Sequence, residues 1–176
     1  IADSASVPTI PGSDGVVKEF NKALEIAENV GFPLLIKASA GGGGRGMRVV
    51  KSGDTLEQDL NEIMSEAEVA FGDSSVYIEK YLTDIRHIEV QVLADGKKCI
   101  HLGERDCTAQ RRNQKLVEEG PSPALSDEQR NELCQSAVRL AEKVSYKSAG
   151  TVEYVFDNIE RKFYFIEMNT RVQVEH

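Results

Sequence analysis

The chain has 176 residues, 40% hydrophobic and 28% charged, enough to bury a proper core as one domain or two small ones. A net charge of -8 argues against general nucleic-acid or membrane-surface binding, which would want a broad basic face, so any anion site must be local. No apolar run approaches the ~20 residues of a membrane span, and three cysteines without C-x-x-C spacing indicate neither a disulfide framework nor a zinc knuckle, which points to a reducing cytoplasm.

Residues 1–15, with Pro8, Pro11, Gly12 and Gly15, read as an entry linker. Phe20, Ala23, Leu24, Ala27 and Val30 then recur at helical spacing, with Gly31 as a stop. A short apolar strand over 32–38 carries Lys37 near its end. The glycine loop that follows, Ser39-Ala40-Gly41-Gly42-Gly43-Gly44-Arg45-Gly46, matches G-x-G-x-x-G on paper, yet a strand rather than a helix comes next, and Met47-Arg48 stands where Walker A needs Lys-Ser/Thr. Strand, glycine loop, strand can fold over a polyphosphate, because residues without side chains let backbone N–H groups approach its oxygens. A flexible hairpin tip is the alternative. A second helix, capped by Ser52 or Asp54, shows Leu56, Leu60, Ile63, Ala67, Ala70 and Phe71 on one face, and 76–82 reads as a strand. A boundary near residues 81–84 gives units 16–82 and 83–176.

The second half opens with strands 86–94 and 98–105 joined at Asp95-Gly96, a hairpin signal. His87, Glu89 and Gln91 share one face of the first. Residues 105–115 put four cations into an acidic chain, either as the local anion site or as a solvated basic loop. A capping box at Ser126 to Gln129 starts a third helix with Leu133, Ala137, Leu140, Ala141 and Val144 inward. A last hairpin, 150–156 and 162–169, turns at Asp157-Asn158. If the chain stays extended beyond it, Glu167, Asn169, Arg171, Gln173 and Glu175 all look one way, opposite Ile166, Met168, Val172 and Val174. Two carboxylates, two amides and a guanidinium in register look like a site for a small charged ligand. A solvated sheet face is the alternative, and the aromatic run 163–165 weighs against it. Glu153 can face the same place, and with Glu167 and Asn169 it offers the oxygen donors that suit Mg²⁺.

Ile36-Lys37-Ala38-Ser39 with its glycine loop, Glu79-Lys80-Tyr81-Leu82, Arg86-His87-Ile88-Glu89, the run Glu104 to Lys115 and the run Phe165 to His176 together resemble biotin carboxylase, the ATP-grasp component of acetyl-CoA, propionyl-CoA and pyruvate carboxylases. The resemblance covers nearly the whole chain in the family's order. It implies an α+β ATP-grasp fold, with a small glycine-loop lid subdomain over 16–82 and a truncated larger antiparallel-sheet subdomain over 83–176. By position, Lys37, Gly43 and Gly44 would hold the ATP phosphates, Glu79, Lys80, Tyr81 and Leu82 the adenine, and His87 and Gln110 the nucleotide. Glu153, Glu167 and Asn169 would bind Mg²⁺ or Mn²⁺. Lys115, Arg171, Gln173 and Val174 would surround bicarbonate, with Glu175 as its base. Biotin on a carboxyl carrier protein or domain would accept the carboxyl group, with a carboxyltransferase as further partner and a homodimer as the full-length state. The compartment implied is the cytoplasm, or the mitochondrial matrix in a eukaryote.

Asn113 departs from the family where several members carry His near the ribose. The family's N-terminal domain, with another ATP lysine, and its C-terminal region, with a biotin-contacting arginine, are absent. The chain is therefore expected to be a central fragment of a longer polypeptide that binds nucleotide weakly without turning over. Two rival readings are another ATP-grasp ligase that activates bicarbonate, of the carbamoyl phosphate synthetase type, and a non-catalytic ATP-binding module.

Overall fold

The computed structural model describes residues 1–41, 46–112, 114–171 and 173. The chain forms two compact units, Ile10–Leu82, and Ile1–Thr9 together with Thr83–His176. The stretch expected to be a linker is thus divided. Its first nine residues belong to the larger unit, because Ala5 and Val7 are buried in that unit's core.

In the unit 10–82, helix α1 (Phe20–Val30) turns Ala23, Ile26 and Ala27 inward, the i, i+3, i+4 stripe of an amphipathic helix. Leu24, expected inward, is exposed, because it lies about 100° round the helix from Ala23, on the flank away from Ile26. Strands β1 (Leu34–Ala38) and β2 (Met47–Val50) flank the glycine loop as an antiparallel pair, with Lys37 opposite Met47. Gly46 leaves the loop at φ 71, and a Cβ there would lie 2.9 Å from that of Ala38, so both conformation and space call for glycine. Helix α2 (Leu56–Phe71) buries Leu56, Leu60, Ile63 and Ala67 and ends at left-handed Gly72, whereas Ala70 and Phe71 in its last turn are exposed. Strand β3 (Val76–Lys80) pairs with the other side of β1, giving the order β2-β1-β3.

In the larger unit, β4 (Ile85–Asp95) and β5 (Cys99–Asp106) form the expected hairpin across Gly96. A bulge breaks their register. Val92 faces His101 but Val90 faces Glu104, so Leu102 and Gly103 lie opposite Gln91 alone, with Gly103 at φ 90. After two-residue strands β6 (Gln110–Arg111) and β7 (Gln114–Lys115) comes α3 (Asp127–Lys143), which starts on the predicted capping box: Gln129 N–H donates to Ser126 Oγ at 3.2 Å and Ser126 N–H to Gln129 Oε1 at 3.1 Å. It buries Leu133, Ala137, Leu140 and Ala141, while Val144 caps the helix and is exposed. Strands β8 (Lys147–Asp157) and β9 (Lys162–Asn169) complete a sheet of order β5-β4-β8-β9.

The sheet has two unlike faces. Ile88, Val90, Val92, Val152, Tyr154 and Phe156 pack with α3 into one core. The alternate residues Glu89, Gln91, Thr151 and Glu153 are also buried, but on the opposite face. A second bulge lies in β9. Tyr154 faces Phe165 and Glu153 faces Glu167, which leaves Ile166 as the extra residue, exposed rather than on the apolar face expected for it. β9 ends at Asn169, so the single extended face imagined as far as Glu175 stops there.

Candidate functional site

Each unit gathers part of the residues singled out by the sequence. In the unit 10–82, Lys37 on β1 pairs by its Nζ with Glu79 on β3, both side chains partly open to water. Lys80 ends β3 with its N–H donating to the Pro11 carbonyl at 2.8 Å, and Tyr81 N–H donates to the Pro33 carbonyl at 3.0 Å. Leu82 follows, half-buried. The root of the glycine loop is tied down on its first side: Ser39 Oγ donates to Asp73 Oδ2 at 2.8 Å, and Ser39 N–H to the Ser75 carbonyl at 2.8 Å. The hydrogen bonds of Ser75 and Ser39 hold the Asp73 carboxyl down at about 2. Gly43 and Gly44 lie outside the described residues.

In the larger unit, β4, β5 and β8 carry Glu89, Arg105 and Glu153 to one place, because Glu89 is the register partner of both Arg105 and Glu153. Arg105 Nε and Nη2 donate to Glu89 Oε1 at 3.0 and 2.6 Å. Lys115 Nζ pairs with Glu89 Oε2 and lies 3.3 Å from Glu153 Oε1. His87 Nε2 is 2.8 Å from Glu153 Oε2, without the alignment of a hydrogen bond. Asn169 Nδ2 donates to Glu153 Oε1 at 2.6 Å. Gln173 follows β9 at 3% exposure and accepts from Arg105 Nη2 at 2.9 Å.

Burying these charges would neutralise them unless they were paired. Burial works against the Lys115 ammonium, but Glu89 and then Glu153 outweigh it and hold its pKa above the usual lysine value. Burial likewise works against the Glu153 carboxylate, and His87 and Lys115 more than offset it, so its pKa is lowered. Cys107, buried beside Glu89, has its thiol pushed up, first by burial and then by that carboxylate, so it stays protonated and is no nucleophile.

The structure brings His87, Lys115, Glu153, Asn169 and Gln173 together. It turns the Gln110 amide instead onto the Cys107 carbonyl at 2.8 Å. Glu167 stands directly across from Glu153 but is exposed, and Arg171 lies exposed in a bend two residues beyond Asn169. Two carboxylates facing each other across neighbouring strands repel. A bound Mg²⁺ would relieve that repulsion, and their oxygens with the Asn169 amide oxygen are the hard donors it takes, so the residues fit the metal; Mn²⁺ would suit the same donors. Asn113, Val174 and Glu175 lie outside the described residues. Sequence reasoning placed Glu89 on the right face without giving it a role, and counted Arg105 only as one of four cations. The pairing of the two was not visible, for a reason that lies in the first bulge.

The model of the carbamoyl-phosphate synthase L chain ATP binding domain matches residues 1–176. Biotin carboxylase 1 of Bacillus subtilis is 51% identical over 173 residues, 98% of this chain and 38% of the relative. The chloroplastic biotin carboxylase 2 of Populus trichocarpa is 53% identical over 98% of this chain and 33% of its own length. Among solved structures, the dimeric biotin carboxylase domain of Hydrogenobacter thermophilus 2-oxoglutarate carboxylase, in complex with MgADP, ADP and bicarbonate, superimposes with a TM-score of 0.83 at 50% identity, covering 99% of this chain and 39% of that one. The chain thus spans between a third and two fifths of the length of these relatives.

Proposed function

The chain belongs to the family of the carbamoyl-phosphate synthase L chain ATP binding domain and has an α+β ATP-grasp fold, and from that premise we propose that it is the ATP-binding part of a biotin carboxylase. The parent would use ATP to join bicarbonate to biotin. The observation that carries the reading is the grouping of half-buried Lys115, His87 and Asn169 with buried Glu153 and Gln173 around Glu89, which offers ammonium, amide and carboxylate groups in one place.

In this reading Lys37, with Gly43 and Gly44, holds the phosphates, and Glu79, Lys80, Tyr81 and Leu82 hold the adenine, with His87 and Gln110 as further nucleotide contacts. Glu153, Glu167 and Asn169 hold Mg²⁺. When bound, the metal offsets charge on the phosphate oxygens. Bicarbonate is a weak nucleophile. Glu175 takes its proton, while Lys115, Arg171, Gln173 and Val174 surround the dianion and stabilise it as its oxygen attacks the γ-phosphorus and ADP leaves. The carboxyphosphate so formed breaks its C–O bond to give CO₂ and phosphate, the phosphate takes the ureido N–H proton of biotin, and the nitrogen so deprotonated, stabilised by Arg171, takes up the CO₂.

Biotin would arrive on a carrier protein or domain, a carboxyltransferase would consume the product, and the parent would be a dimer like the Hydrogenobacter domain. We assign the parent to the cytoplasm. The plant relative is named as chloroplastic, so a plastid replaces the mitochondrial matrix for a plant parent. The 176 residues alone are expected to bind nucleotide weakly and not to turn over, since they cover under two fifths of their relatives. Near-full activity of this piece would overturn that.

The test is ATP cleavage by the full-length parent with and without bicarbonate and free biotin. Stimulation by both supports the reading. Stimulation by bicarbonate alone favours the second reading, a bicarbonate-activating ligase of the carbamoyl phosphate synthetase type, whose name the matching family model carries.

A further inference from the structure

We propose that Arg105 is a positioning residue for bicarbonate: it fixes which end of the Gln173 amide faces the anion and, through Glu89, where Lys115 stands. The inference rests on the bicarbonate-activating reading above. A guanidinium has five N–H donors and no acceptor, so an amide packed against it must present its oxygen. Gln173 Oε1 accepts from Arg105 Nη2 at 2.9 Å, with Gln173 3% and Arg105 9% exposed. The end of Gln173 left to meet a ligand is its NH₂, a donor, which is what an anion needs. Reversed, the same side chain would set an oxygen against bicarbonate.

The same guanidinium grips Glu89 Oε1 through Nε and Nη2 at 3.0 and 2.6 Å and reaches Gln91 Oε1 through Nη1 at 3.4 Å. Gln91 is itself fixed, its Nε2 donating to the Gly150 carbonyl at 2.9 Å and its Oε1 accepting from Thr151 at 3.1 Å. With one oxygen of Glu89 committed to Arg105, the other is aimed at Lys115. One planar fork therefore sets two bicarbonate groups, Gln173 directly and Lys115 by way of a fully buried carboxylate. Lysine has the charge but not the fork, and cannot hold Glu89, Gln91 and Gln173 in one plane.

The experiment is steady-state ATP cleavage by the full-length parent carrying Arg105→Lys, Gln173→Ala, both, or Gln173→Glu. Arg105→Lys is expected to raise the KM for bicarbonate about tenfold while the KM for MgATP stays within about twofold. On the Gln173→Ala background the same change is expected to add less than about twofold, because the residues act through one contact. Gln173→Glu keeps an oxygen on Arg105 and the melting temperature of the wild type, but turns an acceptor to the anion and is expected to lose bicarbonate saturation. Three results would overturn the inference: both KM values rising together, the single effects multiplying in the double variant, or wild-type bicarbonate kinetics in Gln173→Glu. A wild-type parent whose ATP cleavage ignores bicarbonate overturns the functional reading, and this inference with it.

Discussion

Lys37 and Glu79, in the unit 10–82, form an ion pair whose side chains are 35% and 21% exposed, whereas in the larger unit Glu89 and Glu153, at 0% and 8%, share Lys115. The first pair is half in water. Its two charges are worth little to each other there, and a phosphate or an adenine amino group can take over either one at small cost. The second set has no such freedom. The two carboxylates have given up their hydration, and Lys115 much of its own, for fixed partners, and removing one strands the rest. On the proposed function, the contrast would separate two tasks: a lysine that exchanges partners when nucleotide comes and goes, and a lysine held in place before the anion arrives.

Glu89→Ala should break the contrast from the buried side and give the largest effect. It strips Arg105 and Lys115 of their shared acceptor, and we expect a stability loss of about 3–5 kcal/mol in chemical denaturation of the parent. Next is Glu167→Gln, expected to weaken MgATP binding by about tenfold or more in isothermal titration without lowering the melting temperature, because Glu167 is exposed and the change removes its repulsion with Glu153. Unchanged affinity would remove Glu167 from the metal site.

The response to pH comes next. The folded pKa of Lys115 is raised, so its contribution is whole below the unfolded value near 10.5 and is lost as pH rises through the higher folded value. Melting temperature should therefore fall above pH 10.5, and less steeply in Lys115→Met. Glu153 and Asp73 are lowered, so their contributions are whole above the unfolded values, 4.5 and 3.8, and are lost as pH falls below them. The acid limb thus touches both units, whereas the Lys115 loss belongs to the larger one. Glu79→Gln, last, should change stability by no more than about 1 kcal/mol by thermal denaturation, and its consequence should be read in nucleotide affinity instead. A loss as large as that of Glu89→Ala would erase the distinction between the units.

Much of this was legible in the residues. The stripe of α1 and α2, the Ser126 box and the Asp95-Gly96 turn depend on local chemistry, and local chemistry is what a sequence displays. The shared face of His87, Glu89 and Gln91 followed from the period of a strand. What the residues did not display was register. Counting back from a tight turn, Ala94 faces Cys99 and an unbroken ladder would set Glu89 against Glu104, two carboxylates. The bulge moves the ladder by one residue and sets Glu89 against Arg105 instead. The bulge at Ile166 spoiled the apolar alternation of β9 in the same manner, and the end of that strand at Asn169 undid the longer face. Such features depend on contacts between distant strands, which neighbouring residues do not announce.

The extra residue at Leu102–Gly103 bears on how this chain tolerates changes of length. Glu104 turns away from Glu89, onto Arg130 of α3 at 2.6 Å and the Ser122 N–H, while Arg105 turns towards it. Losing one residue at 102–103 would leave a single residue opposite Gln91 and keep both pairs, Val90 with Glu104 and Glu89 with Arg105. A deletion at the bulge is therefore expected to be far milder than replacing Arg105 and Glu104, and lengthening the exposed 95–98 turn likewise leaves the pairing beyond the bulge unaltered.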